Sequence, residues 1–187
     1  MNPSTNYDQP LVIIDMQNFF FKRNKSEMDV IKERVKKVCK LCKLWIQRGL
    51  PIVLVEYNLD DERLEKPSDD RTVYPIRRII KNYPHVTRVE KKRDDGSKDL
   101  LAEFAHMHVD PKELHICGVN LAYCVADTLH GLFHRKNNVK VKLYKEISFN
   151  VHSPNHADWH KSCFDDIQSC ASNYNASLEV CECPIPA

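Results

Sequence analysis

His115-Ile116-Cys117-Gly118-Val119-Asn120-Leu121-Ala122-Tyr123-Cys124-Val125 decides how this chain is read. A short apolar run stops at a Gly-Val turn, and helical spacing resumes at or near the cysteine, with Val125, Leu129 and Leu132 on one face. Strand, tight turn and helix form the repeating unit of an α/β sheet. A thiol at a helix start sits at the positive end of the helix dipole, which favours thiolate, the nucleophilic form. Cys124 is therefore expected to be reactive, although an isolated cysteine is more often a small buried hydrophobe.

Working outward, the same alternation runs along the chain. Leu11 to Ile14, Pro51 to Val55, Val86 to Glu90, Glu113 to Cys117, Val139 to Tyr144 and Ser177 to Cys181 read as strands. Between them, Met28 to Gln47 reads as a helix with Ile31, Val35, Val38, Cys42 and Trp45 inward, closed by Gly49. Further helices are expected near Ile76 to Lys81, from a Ser97 cap to about His108, from Tyr123 to His134 and from Asn155 to Ala171. Asn58 to Ser68 is charged and irregular and reads as a loop able to cover a pocket. Alternation of this kind predicts one α/β domain over residues 1–187, with a mainly parallel six-stranded sheet between helical layers. No G-x-G-x-x-G or Walker-type loop occurs, so nucleotide binding of those kinds has no support.

Composition narrows the functional classes. The chain has 187 residues, a hydrophobic share of 42% and a net charge of +2, too small to point to nucleic acid. Basic residues cluster between Lys22 and Arg48, but the apolar positions among them keep helical spacing, so the cluster reads as a solvated helix face. No apolar run reaches the ~20 residues of a membrane span. Met1 to Pro10 lacks a secretory pattern, so a cytoplasmic, membrane-free protein with reduced thiols is expected. Among the 8 cysteines, Cys39 with Cys42 and Cys181 with Cys183 are weak zinc candidates. His152, His156 and His160 recur every fourth residue, but Pro154 argues against one helical stripe, and ordinary surface or capping roles are expected.

Two further residues are candidates for chemistry. Asp15 ends the first apolar run, where a carboxylate pays desolvation unless it is paired. It reads either as a cap for the next segment or as a general base near a thiol. Lys91 closes the third strand; beside Asp15 it would hold the carboxylate ionised, but by spacing alone it belongs to a solvated basic run that includes Lys92.

With these residues the chain resembles the isochorismatase-like cysteine hydrolases. Their Asp-x-Gln-x-x-Phe is matched by Asp15-Met16-Gln17-Asn18-Phe19-Phe20, and their Gly-Val-x-Thr-x-x-Cys-Val in part by Gly118 to Val125. The order Asp, Lys, Cys also agrees, over about residues 9 to 183. The resemblance implies a three-layer α/β/α sandwich and a triad of Asp15, Lys91 and Cys124, with the lysine placed at Lys91 or Lys92. It implies a cis peptide at Val119–Asn120 and an oxyanion hole from backbone N–H groups around Ala122, Tyr123 and Cys124. The implied reaction is cleavage of a C–N bond in a small amide or ureido substrate, through a thioester on Cys124.

Departures from the family pattern bear on that reading. Leu121 replaces the usual threonine, and Asp94-Asp95-Gly96-Ser97 replaces Ser-Ala-Phe after the lysine. Glu56-Tyr57-Asn58 stands where one branch carries the Asp-x-His of a metal site, so neither a metal nor another cofactor is expected. The competing readings are an interaction protein on an inactive hydrolase scaffold and a thiol sensor using Cys124. The partner expected is a small-molecule substrate. Self-association into the family's dimers or tetramers is left open, since Trp159 and Phe133 read more simply as core than as interface.

Overall fold

A computed structural model describes residues 8–22, 27–59 and 70–185. Six strands form one sheet: β1 (Leu11–Ile14), β2 (Ile52–Tyr57), β3 (Val86–Lys91), β4 (Glu113–Gly118), β5 (Lys140–Ser148) and β6 (Ser177–Cys181). Their order is β3-β2-β1-β4-β5-β6, and every pairing is parallel. All strands therefore end at the same edge of the sheet. The chain first builds outward from β1 to β3, then returns to the other side of β1 with β4. That reversal opens a crevice beyond the ends of β1 and β4, where open α/β sheets bind ligands.

The layers follow from the pleat. Leu11 and Ile13 face one side with α1 (Asn18–Lys22), α2 (Met28–Gln47) and α3 (Tyr74–Ile80). Val12 and Ile14 face the other with α4 (Ser97–His106), α5 (Ala126–Arg135) and α6 (Ala157–Asn173). Alternate side chains on a strand point to opposite faces, and both faces here are covered, so β1 is apolar throughout. This is the three-layer α/β/α arrangement that the sequence predicts.

Several details depart from expectation. The short helix α1 carries no sequence signal of its own. β5 runs four residues past Tyr144, because an irregularity against β4 between Ile116 and Gly118 lets it continue to Ser148. Asp95 rather than Ser97 caps α4: its Oδ1 accepts the Ser97 N–H at 2.8 Å, while Ser97 is buried and its Oγ accepts from Arg135. A π-helical turn at Leu121–Val125 precedes α5, so Cys124 lies inside a distorted turn and not at a clean helix start. Phe133 is core, Trp159 is half-buried, and residues 60–68 of the expected covering loop lie outside the described residues. Among the described residues, no helix is long and apolar enough to cross a membrane.

Gly118 shows why β4 ends as it does. Its φ is +155°, and a Cβ there would lie 2.3 Å from the Ile14 carbonyl oxygen. Only glycine permits this close approach of β4 to β1, which brings the turn carrying Cys124 against the end of β1.

Candidate active site

Asp15 follows β1 in the left-handed backbone region, with φ 52°, a conformation aspartate tolerates better than most residues. Its N–H donates to the Val55 carbonyl at 2.8 Å, and its carbonyl accepts from Gln17 N–H at 2.7 Å. Gln17 then clamps the neighbouring segments: its amide donates to the Tyr57 and Asp70 carbonyls and accepts from Tyr57 N–H at 2.8 Å. The spacing of Asp15 and Gln17 thus has a physical basis. One side chain faces the crevice and the other fastens the loop behind it.

Lys91 reaches the same point from β3, two strands away. Its stem crosses β2, with Nζ 4.9 Å from the centre of the Tyr57 ring, and ends 2.9 Å from Asp15 Oδ2. Nζ also donates to the carbonyls of Arg93, at 3.0 Å, and Asp94, at 3.2 Å. Lys91 is fully buried, whereas Lys92 is exposed, so Lys91 is the lysine that faces Asp15. Gly96 makes room for it, since a Cβ there would lie 2.8 Å from the Lys91 stem.

Cys124 completes the group at 4% exposure. Its thiol faces the Asp15 carboxylate and also donates to Asp94 Oδ1 at 3.5 Å. The cis peptide falls at Val119–Asn120, as the resemblance implies. The turn is stitched to the end of β5: Leu121 N–H donates to the Phe149 carbonyl, Ala122 N–H to Asn150 Oδ1, and Val151 N–H to Asn120 Oδ1.

Those bonds narrow the expected oxyanion donors. The N–H groups of Val119, Ala122 and Tyr123 donate to Ile14 O, Asn150 Oδ1 and Asn120 O respectively. Amides already engaged in this way do not serve a substrate, so the expected donors Ala122 and Tyr123 drop out, and Val119 with them. Asn120 and Cys124 are the candidates left in the turn. The side chain of Tyr123, the residue before the cysteine, is 55% exposed.

The electrostatics overturn one expectation. Burial pushes the Cys124 thiol well above its ordinary pKa, and the Asp15 carboxylate raises it further, while Lys91 opposes both. The resting form is therefore thiol and not thiolate; helix-dipole stabilisation at a distorted turn does not compensate for lost hydration. Burial likewise raises the Asp15 carboxyl from its ordinary pKa, against the lowering pull of Lys91 and the thiol. Burial works to lower Lys91, but Asp15 and Cys124 outweigh it and keep the ammonium charged. A carboxylate of raised pKa beside a thiol is suited to take its proton at the moment of attack.

The residues in place of a metal motif do not fit a metal. Glu56 Oε1 accepts from Thr72 N–H and hydroxyl, and its other oxygen is paired with Arg88. Asn58 is neutral and donates to Glu90 at 3.4 Å. Glu56 instead anchors the segment entering α3. Glu56→Gln should lower stability by about 1–3 kcal/mol, the cost of weakened buried hydrogen bonds and of one lost ion pair to Arg88, which keeps Glu90, measured by urea unfolding; an unchanged midpoint would remove that role. Among the described residues, no cluster of three or more His, Cys, Asp or Glu is placed to hold a metal. His156 caps α6 by accepting from Trp159 N–H, and His160 is buried and accepts from Asn150 N–H, so the histidine spacing reflects capping and packing. Cys39, Cys42 and Cys183 are buried thiols, and Cys181 is half-buried. A groove of about 630 Å³ between α2 and α3 includes none of Asp15, Lys91 and Cys124.

Comparison with known proteins places this geometry. No curated protein matches the chain. In fold, it is similar to a nicotinamidase from Bacillus subtilis, with a TM-score of 0.70, 15% identity, and coverage of 92% of this chain and 100% of that one. It is similar to an N-carbamoylsarcosine amidase from Thermoplasma acidophilum, with a TM-score of 0.66, 17% identity, and coverage of 96% and 98%. It is also similar to the MAR1 ribonuclease from Caenorhabditis elegans, with a TM-score of 0.66, 13% identity, and coverage of 96% and 78%. A family model described as the Isochorismatase domain matches residues 9–144. That span contains β1 to β4 and the Asp15, Lys91 and Cys124 positions, and the chain belongs to the isochorismatase domain family.

Proposed function

We propose that this protein is a cysteine hydrolase that cleaves a C–N bond in a small amide or ureido compound. The observation that carries the reading is the convergence of a buried carboxylate, a buried ammonium 2.9 Å from it and a thiol at the crevice beyond β1 and β4. The amidases among its structural relatives favour C–N cleavage over other chemistry on this fold.

The steps follow from the protonation states. Asp15 takes the Cys124 proton as the sulfur adds to the substrate carbonyl carbon. Negative charge gathers on the carbonyl oxygen, where the N–H groups of Asn120 and Cys124 receive it. Lys91 keeps Asp15 charged until the transfer and holds it in place. Asp15 then passes the proton to the departing nitrogen, the C–N bond breaks, and a thioester remains on Cys124. Water, giving its proton to Asp15, adds to the thioester; the acid leaves and the thiol is restored.

A protonated, nearly buried thiol is a poor oxidation target, which argues against the sensor reading. The test is incubation with a panel of small amides and ureides, with hydroxylamine added to intercept a thioester. Expected are ammonia or amine release, hydroxamate formation and acyl mass on the peptide containing Cys124. Hydrolysis that persists undiminished in Cys124→Ala would overturn the reading.

A further inference from the structure

Asp94 is the feature that the proposed reaction leaves unused. It stands in the loop where the family pattern has Ser-Ala-Phe. Its Oδ1 lies 3.5 Å from Cys124 Sγ, on an exposed residue at the open side of the thiol. The loop that carries it is fixed. The Asp94 carbonyl accepts from Lys91 Nζ at 3.2 Å and from Thr128 Oγ1 at 3.3 Å, and Thr128 Oγ1 in turn accepts Gly96 N–H at 3.0 Å. On the buried side of the same sulfur, the Asp15 carboxylate faces the thiol and is ion-paired with Lys91 at 2.9 Å.

Among the described residues, the neighbouring cations are engaged elsewhere and leave Asp94 unneutralised. Lys91 is engaged with Asp15, and Asp95 is paired with Arg135 at 2.8 Å. Lys92 and Arg93, the next cations along the chain, line a separate polar cavity with Glu90 and Asp99 that includes neither Asp94 nor Cys124. Asp127, exposed and one turn beyond Cys124, adds a second negative group; its carboxyl is raised by burial and by the charges of Asp94 and Asp95. A carbonyl carbon seated on Sγ would carry its nearest substituents past a fixed carboxylate.

We infer that Asp94 is a specificity-determining residue that selects amides bearing a cationic group (an ammonium, amidinium or guanidinium) close to the scissile carbonyl and rejects those bearing a carboxylate. The inference rests on the hydrolase reading above and deepens it by naming the charge of the substrate. A like charge against Asp94 meets repulsion that no lysine or arginine among the described residues is placed to relieve, whereas a cation gains a charge-assisted hydrogen bond.

The test uses three methanethiosulfonate reagents of similar size, one cationic, one neutral and one anionic, with modification read on the peptide containing Cys124. In each case the cysteine sulfur forms a disulfide with the reagent, methanesulfinate leaves with the bonding pair, and the thiol proton passes to the medium. Wild type should favour the cationic over the anionic reagent by at least about 10-fold beyond their ratio with free cysteine. Asp94→Asn should remove most of that preference, and Asp99→Asn, outside the crevice, should leave it unchanged. A matched series of cationic, neutral and anionic amides supplies the second readout. Asp94→Asn should raise KM for the cationic amide with little change in kcat, and should improve turnover of the anionic one.

The failures are separable. Equal reagent preference in wild type and Asp94→Asn would overturn the role of Asp94 and leave the hydrolase reading standing. Amide turnover that survives Cys124→Ala would overturn the hydrolase reading. A Cys124 that reacts with none of the reagents would overturn both.

Discussion

Replacing Lys91 with methionine should destabilise the fold by about 3–5 kcal/mol at neutral pH, with much of the loss recovered on acidification. Methionine keeps an apolar stem of similar length against Gly96 and removes the charge. Asp15, fully buried, then holds a carboxylate with no counter-ion. Breaking a buried pair from one side costs more than the pair contributes, because the remaining charge cannot regain its water. The Arg93 and Asp94 carbonyls also lose the ammonium donor, leaving Asp94 its bond from Thr128, which loosens the loop beside the thiol.

The pH dependence gives this its signature. Burial already raises Asp15, and loss of Lys91 removes the main opposing influence. A carboxylate whose folded pKa lies above its unfolded value costs nothing while both forms are protonated. Its penalty grows as pH rises from the unfolded value, about 3.9, towards the folded one. Urea unfolding of Lys91→Met and wild type at pH 4 and pH 8 should therefore show a clearly smaller gap at pH 4. An equal gap at both values would mean that the lysine acts by packing alone. Asp15→Asn in the Lys91→Met background should recover stability at pH 8, since the amide carries no charge to strand.

Changing Cys124 to serine, or Asp15 to asparagine, should lower kcat by about 10⁴-fold or more on any amide that the wild type turns over. A serine hydroxyl is far less acidic than a thiol, and Asp15 would have to accept its proton at a much greater energetic cost. Asparagine has no proton-accepting oxygen of comparable basicity. The double variant should be little worse than either single one, because the two groups carry out one step together. A residual rate within 10-fold of wild type in either single variant would remove that group from the chemistry.

The same states fix the shape of the pH–rate curve. Asp15 must be ionised to accept the thiol proton, and burial raises its pKa from 3.8. The rate should fall as pH drops, with the acid limb above the range of an exposed carboxylate. A rising limb near the ~8.5 of a free cysteine should be absent, because the proton leaves Cys124 during attack and not before it. Iodoacetamide alkylation of Cys124 should be slow at neutral pH for the same reason. Fast alkylation governed by a pKa below that of free cysteine would restore the thiolate account and contradict the electrostatics of the buried site.

How much could be read beforehand differed from residue to residue. The strand ending on Asp15 was legible because a covered parallel strand is apolar on both faces, which leaves a conspicuous carboxylate at its end. Lys91 was not legible by itself. Spacing made it one of several basic residues, and only the order β3-β2-β1 shows its stem crossing Tyr57 to meet Asp15. Cys124 was legible as a position and misread as a charge state, because the dipole argument follows local sequence while desolvation depends on the whole surrounding structure. Capping preferences are local and point to Ser97, whereas its burial beside Arg135 is a tertiary outcome. Gln17 and Glu56 gave no sequence signal of their roles, since each bonds to segments far along the chain.

The sequence by itself determined the alternation of strands and helices, the parallel sheet, the family and the three candidate positions Asp15, Lys91 and Cys124, because periodicity and short motifs are properties of neighbouring positions. Tertiary structure alone decided that Lys91 and not Lys92 meets Asp15, that burial pushes the Cys124 thiol up, that the N–H groups of Val119, Ala122 and Tyr123 are engaged within the fold, and that Asp94 stands 3.5 Å from the thiol. Each of these depends on burial, or on distance between residues remote in the chain. Desolvation and Coulomb interaction act through space, and local sequence does not encode that space directly.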